Sequence, residues 1–318
     1  MYRQHPPYAV QVELTQGCNL GCSFCGINAL GYQKLARGKD LMSLETARSL
    51  AGQLKSLRWN PRIEFAMHGE PTLNPQAAAI IKEFRRALPK CYIMMTSNGG
   101  GLLTRPVDGI EELFAAGLNT LALDDYESVK IVPRLLAAYA AKGREKIVHY
   151  PDDPTGNPHS RHTGRLLSIV KDISVATKGT HSSLNNHAGS AAPLNDRGVG
   201  KRCAKPFREL AVRWDGSVAL CCNDWPGLYR CGNILKEGVD AIWQGEAFVA
   251  ARQMLIAGRR EFAPCKGCDA MSTRVGLLPD PRGNEALPPV DASTAKAIKK
   301  ALAKGPYTSL GKDPRGKL

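Results

Sequence analysis

Apolar residues recur along this chain in two rhythms that take turns. An alternating apolar run over residues 8–14 predicts a first strand. Beyond a Gly- and Lys-rich connection, Ser43 is placed to cap a helix in which Leu44, Ala47, Leu50, Leu54 and Leu57 return at helical spacing, and Asn60-Pro61 stops it. Residues 62–67 read as a second strand, followed by His68-Gly69-Glu70-Pro71-Thr72-Leu73. Asn74 as N-cap and Pro75 at the first position then open a helix carrying Ala77, Ile80, Ile81, Phe84 and Leu88 on one face. A third strand over 91–96 runs into Ser97-Asn98-Gly99, and a third helix over 106–116 is closed by Gly117. A fourth strand, 118–123, meets Asp124-Asp125, and a fourth helix, 126–142, ends at Gly143. Residues 145–149 predict a fifth strand, 165–170 a short helix and 173–177 a sixth strand. Strands separated by helices must pair in parallel through right-handed crossovers, so the first half of the chain is α/β.

From 178 to 201 the periodicity is lost and Gly, Ser, Asn and His predominate. Such a stretch reads as a solvated linker, with a substrate-covering loop as the second reading and His181 and His187 as that loop's candidate residues. A β-hairpin follows, 209–214 and 217–222 around Asp215-Gly216. Residues 240–257 predict a helix with Ile242, Trp243, Phe248 and Leu255 in the core. The boundaries implied are 1–177, a connection at 178–202, a second domain at 203–278 and a tail at 279–318.

With 318 residues the chain can fill one domain of about 200 residues and a smaller one without disulfides. No stretch approaches the roughly 20 apolar residues of a membrane span, and Met1 to Pro7 lacks the apolar segment of a secretory signal. Ten cysteines in such a chain are expected to be metal ligands in a cytoplasmic, oxygen-sensitive metalloprotein. The net charge of +14 attracts nucleic acid, anionic cofactors and acidic electron donors alike. Much of it sits at Lys296, Lys299, Lys300, Lys304, Lys312, Arg315 and Lys317, a tail expected to be solvated or a docking surface. With no arginine-rich run and no nucleic-acid module, a polynucleotide partner is not favoured.

Cysteine spacing carries the chemistry. Cys18, Cys22 and Cys25 lie in CxxxCxxC spacing just beyond the first strand, so three thiolates on one loop can hold three corners of a 4Fe–4S cluster. A zinc knuckle would pair CxxC with a second nearby pair, and none occurs within the next sixty residues. The loop resembles that of the radical S-adenosylmethionine (radical SAM) family, with Phe24 in the aromatic slot. That resemblance implies a partial (β/α)6 barrel, a fourth iron that chelates SAM, and an electron donor such as flavodoxin or ferredoxin. His68-Gly69-Glu70-Pro71 looks like the family's GGEP motif, with His68 where its first Gly stands. In the family that stretch receives the SAM amino group, which assigns Gly69 and Glu70 to SAM. Asn98 and Asp124 are candidates for its ribose and carboxylate, with helix capping as the competing explanation.

Cys203 and Cys221 bracket the hairpin and Cys265-Lys266-Gly267-Cys268 follows. This resembles the shortened SPASM, or twitch, domain, a small α+β unit that holds one auxiliary 4Fe–4S cluster; two clusters are therefore expected. Four cysteines also suit zinc, and Cys222 competes with Cys221 as ligand. Cys91, inside a strand, and Cys231, in a turn, read as buried or spare thiols. The resemblance implies an oxidoreductase that abstracts a substrate hydrogen, with the auxiliary cluster taking the second electron, as in twitch-domain dehydrogenation of an aminocyclitol. Peptide modification is the alternative within the family, and a basic, zinc-containing nucleic-acid-binding protein the alternative outside it.

Overall fold

The computed structural model describes residues 3–22, 25–29, 40–125, 130–143, 148–149, 166–171, 186–191, 203–270 and 289–304. Within them the strands β1 (Ala9–Val12), β4 (Arg62–Phe65), β5 (Ile93–Ser97), β6 (Thr120–Asp125), β7 (Val148–His149) and β8 (Leu166–Lys171) pair in parallel, in the order β1-β4-β5-β6-β8-β7. The short β2 (Thr15–Gln16) and β3 (Asp40–Leu41) form a separate antiparallel pair. Helices α2 (Leu44–Ser56), α3 (Ala77–Ala87), α4 (Pro106–Ala115) and α5 (Ile131–Ala140) cover the sheet, and a single turn, α1 (Gly26–Ala29), follows the first cysteine loop.

Alternation along the strands divides the two faces. Val10, Val12, Ile63, Phe65, Ile93, Met95, Leu121 and Leu123 are fully buried in one core with Leu50, Leu54, Ile80, Phe84, Ile110 and Leu135 of the helices. Gln11, Arg62 and Glu64 occupy the alternate positions. Ser43 caps α2 as expected, its Oγ accepting from Thr46 N at 3.0 Å. Asn74 begins α3 differently: Oδ1 accepts from Gln76 N at 2.9 Å, Nδ2 donates to the carbonyls of Leu14 and Met42, and the helix starts at Ala77.

Three expectations are corrected. Residues 166–171 form a strand rather than a helix, because a short apolar run does not tell the two apart and pairing with β6 over six residues decides it. The strand expected at 173–177 lies outside the described residues. The helix expected at 240–257 is two, α7 (Val239–Trp243) and α8 (Glu246–Ile256), broken at Gly245, whose Cα stands so near the carbonyl of Ala241 that a Cβ would lie 2.8 Å from it. The tail carries a helix, α9 (Ala292–Ala303), opened by a capping box of Asp291 and Thr294 and packed through buried Thr294, Ile298 and Ala301.

The second half does not stand apart from the first. After the turn α6 (Lys205–Arg208), β9 (Glu209–Val212) pairs in parallel with β1, Ala9 opposite Glu209 and Val12 opposite Val212. β10 (Ser217–Ala219) and β11 (Arg230–Asn233) continue antiparallel, so one nine-stranded sheet runs from the hairpin through the barrel strands. The Asp215-Gly216 turn is as expected, with Gly216 at φ 80°. No helix among the described residues is long and apolar enough to cross a membrane.

Candidate functional site

The first cysteine loop leaves the carboxyl end of β1, where sites in parallel sheets lie. Cys18 Sγ accepts from Leu20 N at 3.3 Å and from Asn98 Nδ2 at 3.4 Å, and Cys25 N donates to the Cys22 carbonyl at 3.1 Å. Burial pushes the Cys18 thiol up to about 11, against the Leu20 N–H, and raises that of Cys22 as well. Thiols so placed become thiolates when a cation is bound, so loading this loop releases protons. Phe24 lies outside the described residues, as does His181.

The Gly69-Glu70 strap is tied to the base of that loop. Glu70 N donates to the Gly17 carbonyl at 2.9 Å and Gly17 bridges Gly69 in parallel. A Cβ on Gly69 would lie 2.0 Å from the Thr15 carbonyl oxygen, so only glycine allows this approach. Glu70, 2% exposed, accepts at Oε1 from Thr72 N (2.9 Å), Thr72 Oγ1 (2.5 Å) and Ser97 Oγ (2.6 Å), and at Oε2 from Asn98 N (2.7 Å). Burial raises its pKa, and the bonds from Ser97, Thr72 and Asn98 oppose the rise. Oε2 keeps a second lone pair for another donor. Asn98 joins both stretches, donating to Cys18 and to Asn19 Oδ1 at 3.1 Å while its Oδ1 accepts from Gly100 N at 2.7 Å. Asp124, half-buried at the end of β6, is close enough to raise the Cys22 thiol. The structure thus brings Cys18, Cys22, Gly69, Glu70, Asn98 and Asp124 to one end of the sheet.

A second site lies under the hairpin. Cys203, Cys221, Cys265 and Cys268 line one cavity, together with Leu220, Leu255, Pro264 and Arg260. Burial raises the Cys221, Cys265 and Cys268 thiols, and charge on neighbouring cysteines of the set raises each further. The 265–267 turn brings Cys268 N to the Cys265 carbonyl at 3.1 Å, and Arg260 Nη1 donates to the Cys268 carbonyl at 2.9 Å. Cys222 is absent from that lining; its Sγ lies 3.3 Å from Lys205 Nζ, which also pairs with Glu209 at 3.0 Å. Cys231 sits in β11 rather than in a turn, and Cys91 is buried just ahead of β5 rather than inside it. Among the described residues no three His, Cys, Asp or Glu side chains converge closely enough to hold one metal ion.

Three residues that the sequence did not single out as a group lie between the two sites. Trp225 packs against Gly26, where a Cβ would stand 2.8 Å from its ring, and against the rings of His68 (centroids 4.7 Å apart) and His187 (5.0 Å, 3° between planes). His187 Nδ1 accepts from Gly26 N at 3.3 Å, and its neighbour Ala188 reaches the four-cysteine cavity. Local sequence offers no signal for Trp225, since its partners come from three distant segments.

Residues 12–124 match the family model described as the radical SAM superfamily. Residues 203–269 match that of the SPASM iron–sulfur cluster-binding domain. The chain belongs to the radical SAM superfamily. It is therefore an enzyme that binds SAM and 4Fe–4S iron–sulfur and needs a reductant and a substrate. Its fold is shared with BtrN in complex with AdoMet and 2-DOIA, at 21% identity and a TM-score of 0.63, covering 84% of this chain and 94% of that one. Selenomethionine BtrN in an open conformation gives 18% and 0.57, covering 86% and 99%. These likenesses show the partial barrel of radical SAM enzymes. No curated protein matches the chain.

Proposed function

We propose that this radical SAM enzyme is an oxidoreductase acting on a small hydroxylated or aminated molecule, with one 4Fe–4S cluster at Cys18, Cys22 and Cys25 and a second at Cys203, Cys221, Cys265 and Cys268. When bound, the first cluster and SAM supply a 5′-deoxyadenosyl radical that removes a substrate hydrogen, and the second supplies an acceptor for the remaining electron. The observation that carries this reading is the cavity that the four cysteines share. A cubane takes four thiolates, each on a different iron, and four thiols around one cavity would supply them. The four cysteines would hold a cluster there at every corner, so it would serve as an electron acceptor rather than as a ligand of the substrate. The aminocyclitol reading draws on the likeness to BtrN, whose structure holds AdoMet and 2-DOIA.

The chain's own residues have the following parts. Asn98 and Leu20 N–H donate to Cys18 Sγ and stabilise its thiolate. Glu70 offers the remaining lone pair of Oε2 to the SAM ammonium, and the bonds from Ser97, Thr72 and Asn98 favour the ionised carboxylate and aim it. Cys221, Cys265 and Cys268 are buried, which keeps water from the second site. Flavodoxin or ferredoxin is the electron donor we expect.

Two variants test the reading. Replacing Cys18, Cys22 and Cys25 by Ala should abolish reductive SAM cleavage, and cleavage that persists would refute the site. Cys268→Ala should still release 5′-deoxyadenosine under artificial reduction, with an aminocyclitol as the first substrate tried, yet yield little ketone or imine. Normal product from a variant lacking the second cluster would reject the acceptor role.

A further inference from the structure

The strap that holds Gly69 and Glu70 begins with a side chain that has no part in the reaction above. His68 is 1% exposed, with Nδ1 3.0 Å from Glu13 Oε1 and Nε2 2.8 Å from the carbonyl oxygen of Cys222. A carboxylate and a carbonyl only accept, so the ring donates to both. Glu13 is itself held: it is fully buried, accepts from Trp214 N at 3.3 Å and lies 3.4 Å from Arg213 Nε. On the strap side, Met67 takes φ 87°, a left-handed conformation that a non-glycine residue keeps only when its surroundings hold it there. On the other side, Cys222 directly follows the cavity-lining Cys221, and Trp225 of the same stretch packs against the ring. One side chain therefore joins the end of β1, the strap and the hairpin that presents Cys221.

We propose that His68 is a positioning residue that couples the SAM strap to the auxiliary-cluster cavity, so that filling either site tightens the other. The bond from Nε2 to the Cys222 carbonyl carries the coupling, because among the described residues it is the hydrogen bond that joins the ring to the hairpin, with the Trp225 ring packed beside it; the bond to Glu13 stays within the barrel. Coupling of this kind is reciprocal and spans five-fold or more in affinity in typical cases. The inference rests on the assignment of the two sites given above.

The test uses the full chain, reconstituted without oxygen, and reads the dissociation constant of SAM by equilibrium dialysis. With His68 in place, protein holding the second cluster should bind SAM at least about five-fold more tightly than Cys268→Ala protein shown by iron analysis to lack it. His68→Gln sets an amide nitrogen near the place of Nε2 and should keep that ratio. His68→Asn, whose amide reaches only as far as Nδ1, should bring it within about twofold of unity. A merely structural role would weaken SAM binding with and without the second cluster by the same factor, leaving the ratio unmoved. Equal affinities in the two proteins that retain His68, or a ratio that survives His68→Asn, would overturn the coupling. The first of these comparisons needs no His68 variant to fold. Absence of SAM binding or of a second cluster in the unaltered protein would instead refute the site assignments, and the iron count and dialysis distinguish that failure from loss of coupling.

Discussion

Glu70 shows how one carboxylate serves structure and ligand together. Its four acceptor contacts cap the 71–73 turn and join it to β5, and burial is tolerated because these bonds replace water. Glu70→Ala removes them along with the charge that would meet the SAM ammonium. A charge-assisted bond is worth about 1.5–3 kcal/mol, so SAM affinity should fall roughly tenfold to hundredfold in calorimetric titration while both clusters remain. Unchanged affinity would leave Gly69-Glu70-Pro71 as a turn alone. Glu13 has the opposite electrostatics: Arg213 and a hydrogen bond from His68 outweigh burial and hold its carboxyl below the usual value of 4.5. A depressed carboxylate contributes stability that is fully present above its unfolded pKa and lost as pH falls through the folded one. Melting temperature should therefore decline as pH falls below about 4.5, and the decline should be shallower in Glu13→Gln, if that variant folds. Parallel acid limbs in the two proteins would count against the assignment.

At the scale of elements, the hairpin decides which of two adjacent cysteines can serve the cavity. The chain turns just beyond β10, where Asp224 N donates to the Cys221 carbonyl at 3.1 Å, and in that turn Cys221 lines the cavity while Cys222 lies beside Lys205 and Glu209. Cys221→Ser should lower the iron content by one cluster, whereas Cys222→Ser should leave it at the unaltered level. Iron and sulfide analysis of the two purified variants checks this, and loss of a cluster from Cys222→Ser would reverse the choice.

Across the whole molecule, the second half is stitched to the first through the sheet. β9 covers the edge of β1, while the buried Arg252 guanidinium donates to the carbonyls of Pro206 and Trp243, and Trp243 Nε1 donates to the His5 carbonyl. A fragment ending at residue 202 would expose that strand edge and strip apolar area from the core. It should be recovered mainly as aggregate, and size-exclusion chromatography of the refolded fragment tests this. A monodisperse, stable fragment would show that the barrel stands without the hairpin.

Local chemistry was enough to expose the parallel α/β alternation, the CxxxCxxC loop, the Gly-Glu-Pro strap and the Asp215-Gly216 hairpin. Each is written within a few residues, as a spacing, a turn dipeptide or a periodicity. Only tertiary structure could decide the rest. Whether 166–171 became helix or strand depended on β6, the helix at 292–303 depended on the surface of α8, and the choice between Cys221 and Cys222 depended on which of them the turn after β10 sets against the cavity. His68 is the sharpest case. In sequence it is a departure from a glycine motif; in the fold its two ring nitrogens reach Glu13 and Cys222, 55 and 154 residues away, and no local pattern encodes contacts at that separation.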